Sequence, residues 1–144
     1  LMAAGCDEVG LSDTTGFASP VQVRDYTRHI RELLGADKLT GIHLHNTRGQ
    51  GLANVMAALE AGLTTIDASM GGIGGCPFAP GASGNIVTED LVFLLESQGL
   101  RTGVNFAALW EARAVLARAL PDVELYGFTT EAGLPKGFTA ATTQ

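Results

Sequence analysis

Residues 41 to 51, GIHLHNTRGQG, constrain the fold more than any other stretch of this 144-residue chain. His43 and His45 stand two apart at the end of an apolar and β-branched run, so in a strand both imidazoles project from one face. Ile42 and Leu44 then point the other way, the pattern of a parallel strand covered on both faces. Gly49 and Gly51 lead directly into the apolar spacing of a helix. The histidines therefore sit at the C-terminal end of a strand, where the loops of βα-built folds converge on a rigid base. A histidine near a strand end can also be a satisfied polar residue and nothing more.

Strand and helix signals alternate on either side of this motif. Glu8 to Leu11 reads as a short strand running into a polar SDTTG loop. Pro20 to Leu34 reads as an amphipathic helix with proline near its start and Gly35 at its end. Leu39 to His45 is the histidine strand, and Leu52 to Glu60 a helix stopped by Gly62. Thr64 to Ser69, rich in threonine and isoleucine, is the next strand. Thr88 to Ser97 is a helix with a threonine cap and with Glu89 and Asp90 in its first turn, where carboxylates complement the helix dipole. Asn105 to Leu120 is a last helix closed by Pro121. The order predicts an α/β fold with a parallel sheet and right-handed connections.

Between the third strand and the following helix lies GGIGGCPFAPGASGN, residues 71 to 85, too rich in glycine and proline for a helix or strand interior. Neither GxxxxGK[ST] nor GxGxxG occurs in it, so it is not a nucleotide-phosphate loop of either kind. Cys76, flanked by glycine and proline, would be accessible there, and a nearby cation would favour its thiolate. A buried inert thiol and a plain flexible linker are the competing readings. Asn85 adds a carbonyl oxygen to the two histidines, and that mixed nitrogen and oxygen set suits Mg2+ or Mn2+ better than a structural zinc.

HLHNTRGQGLAN, IDASMGGIGGCPFAPGASGN and TEDLVFLLESQGLRTGVN together resemble the C-terminal half of the hydroxymethylglutaryl-CoA lyase family. That family belongs to the metal-dependent TIM-barrel lyases and Claisen-type synthases. The resemblance runs over roughly residues 1 to 106, and the GGCP loop marks the lyase branch. It implies residues 1–144 as one domain, the C-terminal part of a (βα)8 barrel truncated at its N-terminus, since a complete barrel takes about 250 residues. His43, His45 and Asn85 match the family's metal ligands, Cys76 its proton-transfer cysteine, and Asp13 in LSDTTG its aspartate near the substrate. Ser12 replaces the usual glycine of that segment, Thr15 the usual apolar residue, and Asn46 the aspartate found in many of the lyases, which brings the motif nearer the synthase form. The arginine and aspartate of the family's first strand have no counterpart; Arg24 and Asp25 read as a solvated surface couple.

The activity implied is cleavage of a 3-hydroxy-3-methylglutaryl-CoA-like acyl-CoA to acetyl-CoA and a keto acid such as acetoacetate, with Mg2+ or Mn2+ as cofactor. A Claisen-type acyltransferase and a non-catalytic metal-binding half-barrel are the alternatives. A half-barrel leaves strand edges open, which predicts pairing with a second copy or with the missing half.

A net charge of -6 argues against nucleic acid or an anionic membrane as partner, and no apolar run approaches the ~18 residues a bilayer requires. Cys6 and Cys76 provide no disulfide framework, consistent with a reducing, cytoplasmic compartment. In residues 121 to 144, Tyr126, Phe128 and Phe138 interleave with glycines and read as a packing strap, with contact to the thioester's nucleotide moiety as the sharper alternative. Arg48 and Lys136 are single basic residues and too weak a signal to place at a phosphate.

Overall fold

A computed structural model describes residues 1–75, 81 and 84–143. The chain divides into two compact units, Leu1–Asp67 with Gly75–Asn85, and Ala68–Gly74 with Ile86–Gln144.

The first unit is a three-stranded parallel sheet in the order β1-β2-β3, made of β1 (Val9–Asp13), β2 (Leu39–Leu44) and β3 (Thr65–Asp67). Helix α1 (Pro20–Leu34) connects β1 to β2, and α2 (Gly51–Glu60) connects β2 to β3. The βαβαβ order expected from the sequence is the observed one. Ser19 starts α1 with a capping box: its hydroxyl accepts from the Gln22 amide while the Gln22 side chain accepts from the Ser19 amide. Leu39, Ile42, Leu44, Val55, Ala57, Ala58 and Leu63 form the buried apolar layer between sheet and helices, joined by Val23 of α1. Arg31 ties that layer together from α1, donating to the carbonyls of Leu39 (3.0 Å) and Gly62 (2.8 Å).

Strand limits differ from the expectation where polar residues continue a ladder. β1 runs on through Ser12 and Asp13 because their backbones pair in register with His43 and Leu44, and ladder pairing does not require apolar side chains. β2 stops at Leu44, since His45 turns to an isolated antiparallel bridge with Asn85. Arg24 pairs with Glu60 at 3.0 Å and not with Asp25, because the couple joins α1 to the end of α2.

In the second unit, α3 (Thr88–Ser97), α4 (Phe106–Ala119) and the short α5 (Phe128–Ala132) surround a core of Val92, Phe106 and Leu109 with Phe93, Trp110 and Phe138 packed against it. Thr88 is not the cap of α3; Val87 holds that position and no side chain caps it. Glu89 and Asp90 do more than face the helix dipole. Glu89 is fully buried and accepts from the Gly71 amide (3.0 and 3.2 Å) and from Arg113 (2.6 Å). Asp90 accepts from the amides of Phe128 (3.1 Å) and Thr129 (2.7 Å), capping α5. The C-terminal segment is a packing strap, held mostly by its backbone: the carbonyls of Leu125 and Tyr126 accept from Arg113, while the Tyr126 and Phe128 rings are exposed. Only Phe138, against Phe93 and Phe106, anchors it as an aromatic.

Glu96, buried in α3, accepts from the amides and hydroxyls of Thr102 and Thr142. Burial alone would raise its pKa, but these donors outweigh it and hold the carboxyl at about 2, against an ordinary 4.5. A depressed folded-state pKa adds stability above the unfolded value and loses it as pH falls. Stability should therefore drop between about pH 4.5 and about pH 2. Acid titration of the circular-dichroism signal checks this, and Glu96→Gln should flatten the slope in that window.

Candidate functional site

Among the described residues, the polar side chains singled out in the first unit gather at the C-terminal ends of its strands. The registers Ser12↔His43 and His43↔Asp67 place those three residues side by side across β1, β2 and β3. One layer below, Gly10, Gly41 and Thr65 stand in the same relation, so the sheet face opposite the helices carries small and polar residues.

The His43 and His45 rings lie 5.1 Å apart between centroids, nearly edge to face, confirming that both project to one side. His43 is about one-third exposed, whereas His45 is buried. Burial lowers the His45 pKa, the adjacent His43 pushes the same way, and the Asp13 carboxylate opposes both. A lowered pKa keeps the His45 ring neutral, the form that carries a ligand lone pair. Its buried Nδ1 has no hydrogen-bond partner, a costly state for a polar atom that a bound cation or substrate would relieve.

Asn85 lies beside His45 through their antiparallel bridge, and Asn46 donates its amide to the Gly84 carbonyl (3.0 Å) in the same seam. These pairings bring the end of the glycine loop to the end of β2, so three predicted ligands separated by 42 positions in sequence converge. The donor set of two imidazoles and an amide fits a divalent cation of the Mg2+ or Mn2+ kind. No cluster of three His, Cys, Asp or Glu that could hold a metal occurs among the described residues.

Asp13 sits at the end of β1 with one carboxylate oxygen accepting from the Phe17 amide (3.0 Å) and the other from Ala18 (3.1 Å). It thereby shapes the loop after β1 while its charge reaches His45. Arg48 fastens the same loop from the β2 side: it donates to the Thr15 and Gly16 carbonyls (both 3.2 Å) and lies 3.9 Å over the Phe17 ring. At Gly16, with φ of +63°, a Cβ would come within 2.9 Å of Thr47, so the two loops touch where only glycine fits. Cys76 lies outside the described residues. Asn46 clamps a helix: its Oδ1 accepts from the Gly51 amide (2.9 Å) at the start of α2, a task an amide oxygen performs as well as a carboxylate.

Asp67 is the residue that sequence reasoning passed over. Its carboxylate lies 3.8 Å from His43 Nδ1. The signal available was its position at the end of the third strand, level with the histidines once the strands are aligned.

The HMGL-like family profile matches residues 1–116. The chain is 44% identical over 116 residues to the mitochondrial hydroxymethylglutaryl-CoA lyase of Homo sapiens, covering 81% of this chain and 35% of that protein. It is 48% identical over 121 residues to the (R)-citramalyl-CoA lyase of Chloroflexus aurantiacus, covering 81% of this chain and 38% of that protein. Among solved structures, an HMG-CoA lyase of Acinetobacter baumannii in complex with coenzyme A and 3-methylmalate superposes with a TM-score of 0.85 at 43% identity, over 96% of this chain and 45% of that one. The HMG-CoA lyase of Pseudomonas aeruginosa gives 0.82 at 34% identity, over 91% and 43%. The chain thus spans about a third to just under half the length of these relatives, and its parallel sheet with alternating helices is part of their TIM barrel. It belongs to the HMGL-like family.

Proposed function

We propose that the polypeptide carrying these residues is a carbon-carbon lyase acting on a 3-hydroxy-3-methylglutaryl-CoA-like acyl-CoA, with acetyl-CoA and a keto acid such as acetoacetate as products. The observation that carries this reading is the bridge setting Asn85 beside the neighbouring imidazoles of His43 and His45 in a chain of this family. His43, His45 and Asn85 would hold Mg2+ or Mn2+. A bound cation would supply the Lewis acidity that lowers the pKa of the substrate's hydroxyl.

The remaining work falls to side chains. Asp13, held by two backbone amides at the end of β1, accepts the hydroxyl proton. The bond between the α and β carbons then breaks, its electron pair passing into the thioester enolate while the β carbon becomes the ketone of the keto acid. Cys76 delivers its thiol proton to the α carbon, forming acetyl-CoA, and is reprotonated before the next turnover. The Arg48 and Asn54 contacts hold the loop beside Asp13 in place: Arg48 through Thr15 and Gly16, Asn54 through the Ala18 carbonyl at 2.9 Å.

The 48% identity to a citramalyl-CoA lyase supports a second substrate of the same reaction class. A Claisen-type acyltransferase is the alternative reading, favoured by Asn46 and opposed by the GGCP loop. Acetyl-CoA release from hydroxymethylglutaryl-CoA and from citramalyl-CoA, measured with Mn2+ and after chelation, tests the proposal on the native polypeptide. Cleavage of one or both that stops with chelator is expected. No acetyl-CoA from either substrate in the presence of Mn2+ contradicts it.

A further inference from the structure

We propose that Asp67 is a positioning residue for His43: its carboxylate fixes the imidazole with Nδ1 protonated and leaves Nε2 as the cation-binding atom. The inference deepens the reading of His43 as a metal ligand and rests on it.

Three observations carry it. The parallel ladder between β2 and β3 pairs His43 with Asp67 directly, so the carboxylate is delivered by backbone register rather than by a chance rotamer. Oδ2 lies 3.8 Å from Nδ1, an electrostatic contact at this separation. Asp67 does not complete a metal cage with the two histidines, since no such three-residue group occurs among the described residues. A carboxylate next to one ring nitrogen selects the tautomer in which that nitrogen carries the proton, and it raises the ligand strength of the other.

The strand end thus offers two histidines in different states. His45 is buried with Nδ1 unpartnered, and His43 is about one-third exposed with Nδ1 beside an acid. The acid's place follows from its backbone, so its loss should leave the fold intact: the Asp67 side chain is about two-thirds exposed and β3 is held by its pairing with β2.

The test is long-range 15N NMR of the His43 ring in the metal-free chain at about pH 8.5, above the ordinary imidazole range, with Mn2+ affinity measured alongside. The chain should show His43 mainly in the Nδ1-protonated form. Asp67→Asn should mix the two tautomers and weaken Mn2+ binding about 10-fold or more, and Asp67→Glu should restore most of both. An unchanged tautomer ratio in Asp67→Asn overturns the inference, including the case where Mn2+ affinity falls, because Asp67 would then act as a ligand itself. A tautomer shift in a chain that binds no Mn2+ upholds the orientation of His43 by Asp67 and sinks the metal-ligand reading instead.

Discussion

Replacing Glu89 with alanine should cost about 3–5 kcal/mol of folding stability, the range for removing one partner of a buried ion pair. The carboxylate is fully buried, and its loss strands Arg113, which is itself only 13% exposed in its side chain. It also leaves the Gly71 amide without its acceptor. The damage spreads because Arg113 holds the Leu125 and Tyr126 carbonyls, and Tyr126 in turn donates its amide to the Gly71 carbonyl at 2.8 Å. Gly71 cannot absorb a side chain as compensation: at φ of +64° a Cβ would stand 2.9 Å from Leu125. Against a typical total of ~5–15 kcal/mol, such a loss removes a large share of the stability. Urea unfolding checks it, with Arg24→Ala as the reference. The Arg24–Glu60 pair is largely exposed, so that variant should change stability by at most ~1 kcal/mol. Equal effects in the two variants would show that the Glu89 cluster is not a keystone of its unit.

Cys76→Ala should lower acetyl-CoA formation by a factor of about 10²–10⁴, the usual contribution of a positioned proton donor, with little change in folding or in Mn2+ affinity. Removing the thiol leaves the hydroxyl deprotonation and the cation untouched, so the loss should fall on kcat. Cys76→Ser, a far weaker acid of similar size, should stay close to the alanine level. Steady-state kinetics on the native polypeptide measure it. A Cys76→Ala enzyme with unaltered kcat would move the proton-transfer step to another group. Cys6 serves as the control: it is an exposed free cysteine, and Cys6→Ala should leave kcat unchanged.

Much of the first unit was legible in the sequence because its signals are local. Pro20 and Gly35 punctuate α1, and the alternation of Ile42 and Leu44 with His43 fixes which face of β2 is buried. The pairing of His43 with His45 follows from strand period alone. What the sequence concealed is register. Asp67 becomes a neighbour of His43 only when β3 aligns with β2, and no local pattern states that alignment. Glu89 shows the same limit: a first-turn carboxylate looks like a helix-dipole partner, and its burial depends on Arg113, 24 positions further along. Thr88 misled in the opposite direction. It is a good capping residue by type, yet its amide is taken by the Ser69 carbonyl and the cap position falls on Val87. Asn46 could be seen as a departure from the family's aspartate, but only the 2.9 Å contact with the Gly51 amide explains why either residue serves.

As the proposed ligand set, His43, His45 and Asn85 should give the chain a saturable site for a divalent cation. Titration of the chain with Mn2+, followed by the amplitude of the free-ion electron paramagnetic resonance signal, measures that binding. Saturable loss of the free-ion signal is expected, abolished in a His43→Ala, His45→Ala double variant that remains folded. A wild-type chain that leaves the Mn2+ signal as free as the double variant does would contradict that ligand set.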